Sequence, residues 1–82
     1  MDMYEVGAIV YNAAHFADKK GAYETARMLY RNAKSILSEV ANDTANDEDK
    51  LLHKKAVGLY NEIAEKLKAI KSKATGDNDG RE

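Results

Sequence analysis

Three blocks of this chain repeat apolar residues at steps of three and four, and no block alternates as a strand would. That periodicity confines the chain to helices. The first block runs from about Asp2 to Lys20, with Val6, Ile9, Val10, Ala13, Phe16 and Ala17 as its core stripe. Lys19 and Lys20 occupy its last turn, where cations suit the helix dipole, and Gly21 is the natural C′ residue. The second block runs from about Ala22 to Ala41, with a stripe of Tyr23, Ala26, Leu29, Tyr30, Ala33, Leu37 and Val40. A link of one or two residues around Gly21 makes these two helices antiparallel neighbours. The polar stretch Asn42 to Asp47 leads to the third block, capped by Asn46 or Asp47. Its stripe is Leu52, Ala56, Leu59, Tyr60, Ile63, Leu67 and Ile70, and it ends near Ser72. The expected fold is all-α, an antiparallel up-down-up three-helix bundle over residues 1–72. Residues 73–82, with Gly76, Gly80 and no apolar anchor, read as a disordered tail or linker.

Composition narrows the chemistry. With 82 residues there is one domain, too small for both a core and a deep catalytic cleft. There is no Cys, so disulfides, thiolate zinc sites and a Cys nucleophile are excluded. Net charge is −1, which does not indicate a polyanion trap, and no nucleic-acid partner is expected. No apolar run reaches the roughly 18 residues of a membrane span. Glu62 and Glu65 share a helix face without the His of a di-metal carboxylate site. His15 and Asp18 lack the further ligands that a metal requires. No nucleophile motif or phosphate loop is present. The chain is not expected to be an enzyme, and neither a cofactor nor a metal is expected.

Two surfaces invite a partner. At ~100° per residue, Tyr4, Ala8, Tyr11 and His15 fall together on the first helix, opposite its core stripe. Aromatic residues with a polar tip favour interfaces. On the third helix, one flank carries Leu59, Glu62, Ile63 and Lys66. The other carries Val57, Asn61 and Ala64, edged by Lys50, Lys54 and Lys68. From Lys50 to Lys73 there are seven Lys against two Glu, a local +5, and no Arg. The second flank suits an acidic peptide.

The run Ala14-x-x-x-Asp18-x-x-Gly21-x-Tyr23-x-x-Ala26-x-x-x-Tyr30-x-x-Ala33-x-x-x-Leu37, with Tyr60 and Ala64-Glu65-Lys66-Leu67-Lys68 further on, resembles the MIT (microtubule-interacting and trafficking) domain. The likeness is to the MIT domains at the N-terminus of ESCRT-disassembling AAA ATPases, and it covers about Tyr4 to Ser72. In physical terms, Ala14, Ala26 and Ala33 are small where the first two helices approach, and Gly21 turns the corner.

The resemblance implies a peptide-binding adaptor that holds C-terminal tail motifs of ESCRT-III-like proteins. It would recruit its parent protein, such as an AAA ATPase, to membrane-remodelling polymers in protein transport or cell division. The expected setting is cytoplasmic, with peripheral recruitment to membranes, no direct insertion, and a monomeric domain. Two grooves follow from the resemblance. The one between helices 1 and 3 would take an extended peptide on Tyr4, Ala8, Tyr11, His15, Leu59, Glu62, Ile63 and Lys66. The one between helices 2 and 3 would take a helical ligand on Ala33, Lys34, Leu37, Val57, Asn61, Ala64 and Lys68. Asn61 stands where the family usually has Leu, and Lys34 where an apolar residue is common, so the expectation favours the first groove. The alternative is a helical homodimerisation module with no peptide ligand, built on the Tyr stripe.

Overall fold

The computed structural model describes residues 2–46 and 48–79, the last six of these by backbone alone. The described residues form three helices and no strand, packed as a three-helix bundle: α1 (Met3–Lys19), α2 (Tyr23–Asp43) and α3 (Lys50–Asp79).

Local chemistry sets the helix ends. Asp2 and Glu5 form a capping box: Glu5 N donates to Asp2 Oδ1 at 2.9 Å, and Asp2 N donates to Glu5 Oε1 at 3.3 Å. Gly21 takes φ +82°, and the amides of Gly21 and Ala22 donate to the carbonyls of Asp18 and Ala17. That pair of bonds is a Schellman stop, which the left-handed glycine makes possible. At the far end, the Thr44 hydroxyl donates to Val40 O at 2.8 Å. His53 Nδ1 lies 3.0 Å from Thr44 Oγ1 and 3.1 Å from Ala41 O. With the Thr44 hydrogen committed to Val40, the imidazole Nδ1–H is the donor, and it pins α3 to the end of α2.

Two boundaries differ from the sequence reading. The cap of α3 is Asp49, whose Oδ1 accepts from Leu52 N at 3.0 Å, and not Asn46. Asp47, the other expected cap, lies outside the described residues. The helix also continues past Ser72 to Asp79, through part of the segment read as a tail. The chain has no Pro to stop it there, and Gly76 costs only about 1 kcal/mol in a helix. Residues 80–82 lie outside the described residues.

The core is α2 wrapped by its neighbours. Ala26, Tyr30, Ala33, Leu37 and Val40 are buried, as the α2 stripe requires, and Ala56, Ile63 and Ile70 of α3 meet them. On α1 the expected stripe is corrected. The buried residues are Gly7, Ala14 and Ala17, with Tyr4, Val10 and Tyr11 packed against the core. Ile9 and Phe16 are exposed (53% and 65%), and so is Ala13. The helix is rotated by roughly one residue step (~100°) from the hydrophobicity-weighted face. The reason is closeness. A Cβ on Gly7 would lie 3.0 Å from the Leu37 side chain, so α1 packs on α2 through its smallest residues. Tyr30 and Leu37 of α2, both fully buried, supply the bulk.

Candidate functional site: two seams along the third helix

The α1/α3 seam is bridged by side chains. Tyr11 packs its ring 5.8 Å from Tyr30 and 6.2 Å from His15, centroid to centroid. Its hydroxyl donates to Glu62 Oε2 at 2.5 Å across the seam. Burial, and then the Glu62 carboxylate, push the Tyr11 phenol up to about 12, so it stays a neutral donor through ordinary pH. One turn further on, the buried Tyr30 hydroxyl donates to Asp18 Oδ2 at 3.1 Å. Burial and Asp18 likewise raise the Tyr30 phenol above its ordinary value. Lys73 closes the same end, with Nζ 3.4 Å from Asp18 Oδ1 and 5.6 Å above the Tyr23 ring.

These contacts decide where the first expected site stands. Tyr4, Ala8, Tyr11 and His15 do share one side of α1, and Leu59, Glu62 and Lys66 the facing side of α3. Tyr4, Tyr11 and Leu59, however, are half-buried, with part of each side chain packed against the core. Ile63 is fully buried, a core residue that cannot line a groove.

The α2/α3 seam is concave. A cavity of about 500 Å³ has Ala64 and Leu67 as apolar lining and five cationic side chains around them: Arg27, Arg31 and Lys34 from α2, Lys68 and Lys71 from α3. Farther along, a cavity of about 270 Å³ is lined by Ser38, Ala41, Asn42, Val57, Tyr60 and Asn61. Lys34 joins the two regions, its Nζ 5.5 Å above the Tyr60 ring. Of the second expected site, Lys34, Val57, Asn61, Ala64 and Lys68 line this furrow. Ala33 and Leu37 do not, because both are completely buried.

The sequence reading missed Arg27 and Arg31. They precede Lys34 at steps of four and three, one helical face, and that face meets the lysine flank of α3. Reading the third helix alone hid the guanidinium groups that the second contributes. Arg27 has a local acidic neighbour in Glu24 at 2.8 Å, and Lys68 has one in Glu65 at 3.7 Å. Both are exposed pairs three residues apart, of little energetic weight.

Among the described residues, no group of three or more His, Cys, Asp or Glu is placed to hold a metal ion. No described helix is long and apolar enough to cross a membrane. No protein family, curated protein or solved structure compared with this chain gives a match.

Proposed function

We propose that this domain is a peptide-binding adaptor of the MIT type. It holds acidic C-terminal tail segments of ESCRT-III-like proteins and so recruits its parent protein, an AAA ATPase or a similar remodelling factor, to membrane-associated polymers. The observation that carries this reading is the α2/α3 furrow: an apolar lining between two helices, rimmed by five cations from both. A peptide helix laying an apolar face on Ala64 and Leu67, with carboxylates toward Arg31 and Lys68, would satisfy both features. The polar Asn61 and the ammonium of Lys34 lower the apolar content of the furrow, so charge carries more of the recognition than burial does. The affinity expected of such a shallow site for a flexible tail is micromolar. Because the charged rim contributes much of it, binding weakens with salt. The groove between α1 and α3 is the less favoured site, since the Tyr11–Glu62 bond occupies it.

The test is calorimetric titration of the domain with a panel of acidic ESCRT-III-like C-terminal peptides, for the wild type and an Arg31→Glu/Lys68→Glu variant. Micromolar binding that the variant loses supports the reading. No binding by any peptide, or equal binding by the variant, refutes it.

A further inference from the structure

A different surface of the molecule lacks a partner. On α1 the outward face carries Ile9 (53% exposed), Ala13 and Phe16 (65% exposed), two large apolar side chains two turns apart on a helix whose inward face is already filled. The same face holds Glu5 near its N-terminal end and Lys20 just past its C-terminal end, both exposed. These five positions, with Asn12, fall within an arc of ~100°.

We infer that this face pairs with a second copy of the chain, α1 against α1, antiparallel about a two-fold axis. The pattern is self-complementary in one register only when the copies run in opposite directions. That register pairs 5 with 20, 9 with 16, and 12 with 13, all about a single centre. Each Glu5 then faces Lys20 of the other copy, each Ile9 faces a Phe16, and the small Ala13 sits beside Asn12 where the helices cross. A parallel pair would set Glu5 beside Glu5 and Lys20 beside Lys20. Antiparallel packing also opposes the two helix dipoles favourably. This is the isologous contact that a two-fold dimer requires.

Nothing in the single chain competes strongly for these groups. Lys20 Nζ lies 5.4 Å above its own Phe16 ring, a position from which it can swing to a carboxylate. Glu5 uses Oε1 in the capping box, and its second oxygen remains on the exposed face. A single helix pair buries less than the roughly 1,200 Å² of a stable interface, so the dimer is weak, with a Kd on the order of 10⁻⁴ M. The α2/α3 furrow is on other elements, so dimerisation leaves it open. Two furrows then ride on one dimer, a gain in avidity for a polymeric target.

The experiment is sedimentation equilibrium of the full chain from about 10 μM to 1 mM, with circular dichroism as a control on folding. The wild type is expected to dimerise. Phe16→Asp, an exposed substitution, is expected to weaken the dimer about 100-fold, because two Phe16 side chains are lost per dimer. Lys20→Glu and Glu5→Lys are each expected to stay monomeric alone, since each places like charges in opposition. Mixed together they restore both cross-pairs and are expected to associate. A wild type that is monomeric at 1 mM, a Phe16→Asp dimer as tight as the wild type, or a mixture that fails to associate with both components folded overturns the inference.

Discussion

The two seams along α3 are built from different kinds of residue and do opposite things. On the α1 side, aromatic rings and their polar tips turn inward. Tyr11 reaches Glu62, Tyr30 reaches Asp18, and Lys73 closes over Asp18 and Tyr23. On the α2 side the long cationic side chains turn outward around an apolar strip, where their local pairs are exposed and weak. What separates them is the kind of side chain that each brings to the contact. Tyrosines can bury a ring and donate from its edge, so Tyr11 and Tyr30 pack inward with both hydroxyls bonded. Guanidinium and ammonium groups are costly to bury, so they stay at the rim and leave the apolar strip between them open.

The largest expected effect tests the core beneath both seams. Tyr30 is fully buried and hydrogen-bonded to Asp18, and Tyr11 packs on it. Tyr30→Ala is expected to cost about 3–5 kcal/mol, comparable to the whole net stability of a domain this small. Urea titration should find it largely unfolded; a stable, cooperatively unfolding variant would show that the core does not rest on this ring.

Charge reversal at Arg31 and Lys68 comes next, and it separates the seams. Peptide affinity should fall at least about tenfold, while stability changes by less than about 0.5 kcal/mol, since both are exposed positions and the Lys68–Glu65 pair is weak. Loss of stability with unchanged affinity would invert the comparison.

Tyr11→Phe is the mirror experiment. It should remove about 1 kcal/mol of stability and leave peptide affinity unchanged. The pH dependence follows from the same bond. The folded Tyr11 phenol is raised from about 10 to about 12, so its contribution is fully present below pH 10 and is lost as pH rises toward and through 12. Wild-type stability should therefore decline above pH 10, and the decline should be shallower in Tyr11→Phe. Tyr30 adds to the wild-type decline in the same direction. Identical alkaline profiles would remove Tyr11 as a tie across the seam.

The smallest expected effect is a gain. Asn61→Leu adds an apolar side chain to the furrow wall and should tighten an amphipathic acidic helix several-fold, within the roughly 1.5–3 kcal/mol that full burial of a Leu provides. A weaker complex would place the ligand's apolar face elsewhere.

The sequence made α2 and α3 legible because the large apolar residues of their periodic stripes are also inward ones. Leu37, Ile63 and Ile70 are both the oily residues and the buried ones. On α1 those two properties part company. Ile9 and Phe16 carry the hydrophobicity, while Gly7 and Ala14 carry the packing, because the helix sits too close to Leu37 for anything larger. Periodicity weighs oiliness and cannot weigh closeness. The Tyr11–Glu62 tie joins residues 51 positions apart, so no local pattern announces it. The small residues at the α1/α2 contact and the turn at Gly21 were legible, since each answers to a short-range steric rule. The basic furrow was half legible: its lysines stood out on α3, while its two arginines needed α2 to be read against them.

Chemical-shift mapping of the isotope-labelled domain with one acidic ESCRT-III-like tail peptide tests the difference between the seams most directly. The expected result is saturable shifts at Arg31, Lys34, Ala64, Leu67 and Lys68, with Tyr4, Tyr11 and His15 unmoved. Shifts centred instead on Tyr11, His15 and Lys66, with the α2/α3 furrow silent, would contradict the account.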